Sequence, residues 1–297
     1  MALTETLIPA PDAGQQAMRE VCGCPLCAGD AQEATPYAAD GFAVVRCGAC
    51  RLWYLSPRLP EAAMAEVYRS NTYFDGGGAG YERYDDQAVS LRLTFRRLLR
   101  EMARRQLTGG SLLEVGCGYG FLLEEAAPYF STREGSEYSP TAAARAAEVA
   151  DRVYSGGLDA VPEDRRFDCI VACHVIEHVY EPVAFVKQIF RHLKPGGHCI
   201  LAAPDMGGAW RKLMGRRWPL FKYPEHVVFY DADSLHRLMQ NCGLTQLTRL
   251  PYPHAFPLAE VCRKLALPSP RAFETINIWL PGTTIAYSGS RPVEDGA

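Results

Sequence analysis

The sequence has no apolar run that approaches the roughly 18 residues a helix needs to span a bilayer. Its first 20 residues carry acidic residues and prolines, where a secretory signal has a basic and then an apolar segment. An excess of one charge is also missing, because 31 Lys and Arg face 34 Asp and Glu and leave a formal net charge of -3. We therefore expect a cytoplasmic protein with no membrane partner and no electrostatic preference for nucleic acid.

Internal repeats and low-complexity tracts are also lacking. Apolar residues make up 48% of the chain and charged residues 22%, which is ordinary for a globular protein and excludes a mostly disordered or collagen-like chain. The 297 residues suit one large domain or two modest ones, and they are enough to bury a substantial core.

Eleven cysteines are present, and four of them form two C-x-x-C pairs with 19 residues between the pairs. The four are Cys24, Cys27, Cys47 and Cys50. Their spacing predicts a tetrahedral zinc site, and a closed four-cysteine site is structural because no coordination position remains for a substrate. A redox pair or unliganded thiols are the alternatives, and Cys22 could replace Cys24 at a looser spacing. The pattern favours reduced thiols over a disulfide framework.

The chain around this cysteine module divides into segments of different pattern. Residues 1–20 lack a clean hydrophobic period and predict a flexible arm. The module takes residues 21–58, and residues 59–105 predict a mainly helical linker. From residue 106 to residue 297 the pattern is that of a second, larger domain.

Tyrosines surround a glycine-rich break inside the helical linker. Tyr73, Tyr81 and Tyr84 lie on either side of the segment 76–80. We expect a lid over a cofactor there, with the glycines as its hinge; a plain loop is an equally economical interpretation.

Short apolar runs alternate with helical segments after residue 110, which predicts a doubly wound α/β fold with a mostly parallel sheet. The predicted strands are 112–115, 132–137, 152–154, 167–172, 198–203, 244–250 and 283–288. The predicted helices are 121–127, 140–149, 182–193 and 233–242, and a proline-rich excursion fills 251–282.

The first strand of this pattern runs into a tight glycine turn. Gly116, Gly118 and Gly120 allow a cofactor to approach the backbone beside a helix N-terminus. A dinucleotide fingerprint wants a glycine where this chain has Phe121, so NAD is disfavoured. Glu137 follows at the end of the next strand, where a carboxylate can accept both hydroxyls of a ribose. These features predict a nucleoside cofactor.

Four segments together make the sequence resemble the class I S-adenosylmethionine-dependent methyltransferases over roughly residues 106–250. They are E-V-G-C-G-Y-G from Glu114, E-Y-S-P from Glu137, F-D-C-I-V-A-C-H-V-I-E-H from Phe167, and L-K-P-G-G from Leu193. The resemblance implies a seven-stranded Rossmann-like sheet. A four-cysteine module before the catalytic domain and a P-E-H-x-x-F segment at Pro224 are similar to one subgroup of the family.

The resemblance also implies which residues hold S-adenosylmethionine. Glu114 and the turn 116–120 would hold the methionine part, Glu137 and Tyr138 the ribose and the adenine edge, and Leu158 the adenine. Cys173 and His174 would face the sulfonium. The predicted cofactor residues are therefore Tyr73, Glu114, Gly116, Cys117, Gly118, Gly120, Glu137, Tyr138, Leu158, Cys173 and His174. The stretch 133–136 is more polar than the family pattern.

The segment from His174 to His178 also matches H-x-x-E-H, a zinc-protease pattern. That pattern needs a helix presenting both histidines to one metal, whereas these residues directly follow a predicted strand. We therefore expect His174 to line the methyl-donor side and His178 to be a hydrogen-bonded structural histidine.

The segment after Pro204 is the candidate acceptor side, because it follows the carboxyl end of a strand. We expect an insertion at about 205–232 whose aromatic side chains exclude water from the reaction; these are Trp210, Trp218, Phe221 and Tyr223. His226 could remove a proton from the acceptor or could instead anchor the loop. His226 and His174 are the candidate catalytic residues.

The leading hypothesis is methyl transfer from S-adenosylmethionine to an oxygen of a small molecule, such as a sugar, a polyketide or a quinone-like compound. One alternative is an RNA methyltransferase whose zinc module reads RNA; Arg96, Arg97, Arg100, Arg104 and Arg105 favour it, and so do Arg211, Lys212, Arg216 and Arg217. Another is a non-catalytic module that binds cofactor or a partner. We expect a monomer or a homodimer.

Overall fold

The computed structural model describes residues 19–69, 84–264 and 267–293. Most of the predicted arm, the glycine-rich break at 76–80, Tyr73 and Tyr81 lie outside the described residues. No helix in the described part of the chain combines the length and the apolar character needed to cross a bilayer.

A seven-stranded sheet forms the centre of the molecule, in the order β10-β13-β8-β7-β4-β5-β6. Its strands are β4 (Ser111–Val115), β5 (Thr132–Glu137), β6 (Arg152–Ser155), β7 (Phe167–Cys173), β8 (Leu193–Pro204), β10 (Thr245–Leu250) and β13 (Thr284–Ser290). Neighbours from β6 to β8 pair in parallel, and β13 lies antiparallel to both β8 and β10. The predicted doubly wound, mostly parallel α/β fold is confirmed.

Helices cover both faces of this sheet. The helices of the described residues are α1 (Glu61–Arg69), α2 (Ala88–Arg104), α3 (Phe121–Glu125), α4 (Pro140–Ala146), α5 (Pro182–His192), α6 (Ala209–Met214), α7 (Ala232–Asn241) and α8 (Leu258–Lys264). Helix α2 buries an apolar stripe that includes Phe95, Leu98 and Met102. Its other face carries polar side chains, so burial of the apolar stripe determines which face of α2 packs inward. Side-chain caps begin α4 at Ser139 and α7 at Asp231.

The N-terminal part forms a small antiparallel sheet that a strand from the larger domain completes. Its strands are β1 (Gln32–Ala39), β2 (Phe42–Cys47) and β3 (Trp53–Leu55). The two-residue strand β9 (Val228–Phe229) pairs with the edge of β3, with Tyr54 opposite Val228. The cysteine module is therefore joined by backbone hydrogen bonds to the segment that follows His226.

Aromatic side chains from the two parts interlock next to this pairing. The rings of Tyr37 and Phe221 stack with their centroids 4.7 Å apart, and those of Phe42 and Tyr223 stack at 6.5 Å. Trp218 packs edge to face on Phe221 at 5.2 Å and is buried. The aromatic residues expected to wall the acceptor side thus largely form the interface with the cysteine module.

The excursion after β10 folds back over the sheet. Strands β11 (His254–Pro257) and β12 (Asn277–Leu280) form a hairpin. The N–H of Ala255 donates to Oγ1 of Thr94 in α2 at 2.9 Å, so the hairpin is fastened to the long helix. It brings Tyr252 and His254 to the carboxyl end of β7.

Candidate functional site

The glycine turn after β4 has the backbone conformation that its sequence demands. Gly116, Gly118 and Gly120 have φ of +69°, +51° and +78°, in the left-handed region that favours glycine. A Cβ added at Gly118 would lie 3.0 Å from the hydroxyl oxygen of Tyr84. Tyr84, one of the tyrosines of the predicted lid, therefore lies directly against the turn.

Glu137 is bound by backbone donors at the end of β5. Its Oε2 accepts from the N–H of Gly118 and its Oε1 from the N–H of Ser139, both at 2.9 Å. Burial raises the pKa of this carboxyl, although the same N–H groups act in the opposite direction. Each oxygen has a further lone pair, so the carboxylate can still accept ribose hydroxyls.

Glu114 is a buried carboxylate with an unsatisfied oxygen. Its Oε2 has no hydrogen-bond partner among the described residues. Burial and then the negative charge of Glu137 hold the pKa of its carboxyl well above its usual range. A cationic ligand beside Glu114 would compensate both effects, because it offsets desolvation and charge repulsion together.

The remaining predicted cofactor residues are spread around the turn. Tyr138 is 47% exposed, and its ring leans over Gly157 next to Leu158. Leu158 is buried in the core. The side chain of Cys117 is also buried and lies against Gly135 of β5, so Cys117 presents backbone to the turn.

These residues fit the cofactor that the sequence implies. An unsatisfied buried carboxylate oxygen suits a sulfonium or an ammonium group, an N–H-bound carboxylate suits a ribose, and the glycine turn leaves backbone accessible. The fit rests on Glu114, Glu137 and Gly118.

His174 lies directly after β7, beside Cys173, in a strained conformation. Its φ is +57°, which is uncommon for a residue with a side chain. Its Nδ1 lies 3.4 Å from Oε1 of Glu177, and its buried Nε2 has no hydrogen-bond partner among the described residues. The ring is packed edge to face on Tyr252 at 5.8 Å and on His254 at 5.7 Å.

Glu177, His178 and His226 form a buried cluster next to His174. One ligand atom from each lies within 4.8 Å of the others. The rings of His178 and His226 meet edge to face, with centroids 4.8 Å apart. Burial lowers the pKa of His226 well below its usual range and lowers that of His178, so both imidazoles are neutral at pH 7.

Each imidazole of this cluster is also anchored to backbone. Nδ1 of His226 lies 2.9 Å from the carbonyl oxygen of Leu220, and Nδ1 of His178 lies 3.1 Å from that of Glu225. The hydroxyl of Tyr68 lies 3.0 Å from the same Nδ1 of His178. His226 thus anchors its loop through one nitrogen and keeps the other for a second role.

The four cysteines of the C-x-x-C pairs converge in the N-terminal sheet. Sγ of Cys24 lies 3.4 Å from Sγ of Cys50, and Sγ of Cys27 lies 3.6 Å from Sγ of Cys47. The N–H of Cys50 donates to Sγ of Cys47 at 3.4 Å, an arrangement that favours thiolate. The Sγ atom of Cys22 is bonded instead to the carbonyl of Leu55 at 3.5 Å, so the spare thiol lies outside this cluster.

Sequence reasoning missed several residues of the site. Tyr68, Tyr252 and His254 come from segments with no motif, and the sequence predicts no role for Glu177. The tyrosine and histidine of Tyr252-Pro-His254 lay in a proline-rich stretch, where no periodicity marks which side chains face the sheet. A signal for Glu177 did exist, since it is the acid of the H-x-x-E-H pattern.

Comparison with known proteins gives consistent results. A family profile described as a methyltransferase domain matches residues 84–248, more than half of the chain. A probable S-adenosylmethionine-dependent methyltransferase of Mycolicibacterium smegmatis is 30% identical over 52% of this chain and 59% of its own length. A ubiquinone biosynthesis O-methyltransferase of Methylobacterium nodulans is 42% identical over 29% of this chain and 38% of its own length. The chain thus spans less than two-thirds of the length of these relatives.

Solved structures share the fold at low sequence identity. A methyltransferase of Thermotoga maritima, described as a possible histamine N-methyltransferase, has a TM-score of 0.51 and 19% identity and covers 70% of this chain and 94% of its own. The magnesium protoporphyrin IX methyltransferase of Synechocystis has a TM-score of 0.51 and 13% identity, with 78% and 100% covered. The likeness extends to the Rossmann-like sheet as a whole.

Proposed function

The chain belongs to the S-adenosylmethionine-dependent methyltransferases, and from that membership we propose that it transfers a methyl group from S-adenosylmethionine to an oxygen of a small-molecule acceptor. The observation that carries the proposal is the Glu137 carboxylate, held by the N–H groups of Gly118 and Ser139 beside the glycine turn. A ribose-binding carboxylate at this strand end is what a nucleoside cofactor requires.

The chain's own residues bind and orient the reactants. When bound, S-adenosylmethionine supplies an electrophilic methyl group on a sulfonium. Glu114 and Glu137 would complement its charge and its ribose, and the turn 116–120 would support the methionine part. Tyr138 and Leu158 would hold the adenine, and Cys173 and His174 would face the sulfonium. Tyr73 would belong to the lid predicted from the sequence.

An oxygen acceptor suits the histidines at the carboxyl end of β7. A hydroxyl must lose its proton as its oxygen attacks, and a neutral imidazole can accept that proton. His174 has an unpartnered buried Nε2, with Glu177 3.4 Å from its other nitrogen as an orienting carboxylate. His226 is the second candidate base, through the nitrogen that does not face Leu220. The ubiquinone O-methyltransferase relative also favours oxygen.

The cysteine cluster is proposed to hold a structural Zn²⁺. Four ligands about 2.3 Å from a tetrahedral metal lie about 3.8 Å from one another, close to the Sγ separations of 3.4 and 3.6 Å across the cluster. All four positions are cysteine sulfurs, so the site has no vacancy for a substrate. The proposed role of the module is to hold β3 in place, because β9 pairs with the edge of that strand.

The domain division is proposed along with this role. We place a zinc module at 21–58, a linker and lid at 59–105, and the methyltransferase domain from 106 onward, with the acceptor-side insertion at about 205–232. Helix α1, which includes Tyr68, then belongs to the linker. A cytoplasmic location and a monomeric or homodimeric state remain proposals with it.

The RNA alternative is weakened by how the arginines of α2 are paired. Arg96 bonds Glu125 at 2.6 Å, and Arg104 and Arg105 bond Glu101 at 2.6 and 2.7 Å. These pairs neutralise part of the charge that an RNA backbone would need. A small molecule is therefore the favoured acceptor class.

The first experiment is transfer of labelled methyl from S-adenosylmethionine into an extract of the cells that make the protein, followed by separation into RNA, protein and small-molecule fractions. We expect label in the small-molecule fraction, and its loss with Gly118→Val. The labelled product can then be identified by mass. Label in RNA would overturn the acceptor class, and no label in any fraction, with cofactor still bound, would favour a non-catalytic module.

A further inference from the structure

We propose that Glu177, His178 and His226 form a second metal site, which binds one divalent transition-metal ion at the carboxyl end of β7. This site is separate from the four cysteines. It uses the Glu177-His178 part of the H-x-x-E-H pattern, but His226 from the loop before β9 replaces the first histidine of that pattern.

The hydrogen bonds of both imidazoles prepare them for a metal. The carbonyl oxygen of Leu220 only accepts, so Nδ1 of His226, which faces it at 2.9 Å, carries the ring proton. Nδ1 of His178 faces both the carbonyl oxygen of Glu225 at 3.1 Å and the hydroxyl of Tyr68 at 3.0 Å, and in the proposed site its proton takes part in the bond with the carbonyl. In a neutral imidazole, Nε2 is then the nitrogen with the lone pair. Metal-binding histidines commonly have their other nitrogen fixed by a backbone carbonyl in this way.

Glu177 supplies the negative charge. Its side chain is 1% exposed, and neither of its carboxylate oxygens has a hydrogen-bond partner among the described residues. A buried carboxylate without donors is costly unless a cation compensates it. Nδ1 of His174 lies 3.4 Å from Oε1 of Glu177, and the imidazoles of His178 and His226 are the other basic groups of the cluster.

The position of the three ligands is set by rigid elements. Glu177 and His178 belong to the 3-10 turn Ile176–His178, and the N–H of Val227 donates to the carbonyl of Glu177 at 2.9 Å. That bond joins the turn to the residue after His226. One ligand atom from each residue lies within 4.8 Å of the others, and an ion would draw them closer through side-chain rotation.

The ligand set indicates the class of metal. Two imidazoles and one carboxylate suit zinc or iron(II), whereas calcium and magnesium prefer oxygen ligands alone. Three protein ligands leave at least one coordination position open. Resting on the proposed function, the role of the ion is to bind and orient the acceptor oxygen close to His174. With His226 as a ligand of the ion, His174 is the base of that function.

The test is a cobalt(II) titration of the full-length protein, followed by absorption spectroscopy. We expect one equivalent of cobalt in addition to any bound by the cysteines, with no thiolate-to-cobalt charge-transfer absorption from that equivalent. Glu177→Gln and His226→Asn should each weaken this binding more than the roughly 10- to 100-fold that loss of an outer-shell partner causes.

A matched control separates the site from general damage. His192 is also buried, with Nδ1 3.0 Å from the carbonyl of Arg165, but the metal cluster does not include it. His192→Asn should leave cobalt binding unchanged. If Glu177→Gln fails to fold by circular dichroism, His178→Asn provides the same measurement.

Two results would overturn the site: cobalt bound only through thiolates, or a second equivalent that survives in Glu177→Gln and His226→Asn. Methyl transfer is not part of the measurement. Bound cobalt without transfer to any acceptor would therefore leave the metal site standing and contradict the proposed function, and transfer without bound cobalt would do the reverse.

Discussion

The backbone N–H of Gly118 donates a 2.9 Å hydrogen bond to Oε2 of Glu137, and this bond ties the glycine turn after β4 to the end of β5. The turn and the carboxylate therefore hold one another in place. The proposed donor site depends on both, because the turn exposes backbone and Glu137 offers the remaining lone pairs. Substitutions in the turn or at Glu137 should therefore lower the affinity for the cofactor.

Cofactor affinity should fall as the pH is lowered. Burial raises the pKa of Glu137, and burial with the charge of Glu137 raises that of Glu114 well above its usual range. Raised carboxyl pKa values bring protonation closer to neutrality, and a protonated carboxyl loses the charge that attracts a cation. Calorimetry with S-adenosylmethionine from about pH 7.5 to about pH 5.5 should show weaker binding at each step. A flat profile would contradict the assignment of these two carboxylates.

Gly118→Val should abolish most cofactor binding. The new side chain would occupy space at a φ of +51° and collide with Tyr84, whose hydroxyl oxygen lies 3.0 Å from the Cβ position. We expect a loss of at least tenfold in affinity, about 1.4 kcal/mol. Gly282→Val is the control, because Gly282 has a φ of +72° with no atom within 4 Å of its Cβ position. Equal losses of cofactor affinity in the two variants would mean that backbone strain alone, and not the collision with Tyr84, causes the loss.

Cys24→Ser should remove the zinc of the N-terminal module and destabilise the protein by at least about 3 kcal/mol, a fall in melting temperature on the order of 10 °C. The cause is the coupling of structural zinc to folding. Metal content by mass spectrometry and a melting curve check both effects. Cys22→Ser is the matched control, since Cys22 bonds the carbonyl of Leu55 at 3.5 Å and should keep the metal. Unchanged metal content in Cys24→Ser would refute the ligand set.

The stacked rings of Tyr37 and Phe221 should be energetically coupled. Their centroids are 4.7 Å apart at an interplanar angle of 28°. A double-mutant cycle with Tyr37→Leu and Phe221→Leu, measured by urea unfolding, should give a coupling of about 0.5–1.5 kcal/mol. The same cycle with Phe256, which belongs to the hairpin strand β11, should give a coupling near zero. Additive effects at Tyr37 and Phe221 would mean that the stack contributes no specific interaction.

Most of the central sheet could be predicted because its strands are read from local patterns. Strand β5 has the predicted bounds 132–137, and β7 is longer than the predicted strand 167–172 by one residue, Cys173. The predicted glycine turn was equally local, because a left-handed φ selects glycine at each position. Helix ends were less accurate: the helix predicted at 140–149 ends at Ala146, where apolar periodicity gives no stop signal.

The parts of the fold and of the site that the sequence did not predict depend on contacts between distant parts of the chain. Strand β9 has two residues, Val228 and Phe229, and exists only because the edge of β3 is available to pair with it. The aromatic rings of 218–223 were expected at the acceptor side because their position after β8 suggested it. Their partners Tyr37 and Phe42 lie in the N-terminal module, which no local pattern could reveal. The grouping of Glu177 with His226 has the same origin.

The pairing of Trp53 with Phe229 has a consequence for how the chain folds during synthesis. The ribosome releases β3 long before it releases β9, so the N-terminal sheet first forms with an open edge. An open edge is prone to pair with other chains. The zinc proposed for the four cysteines would hold the early three-stranded sheet together until residue 229 emerges. The N-terminal sheet would then be a template on which strand β9 is assembled.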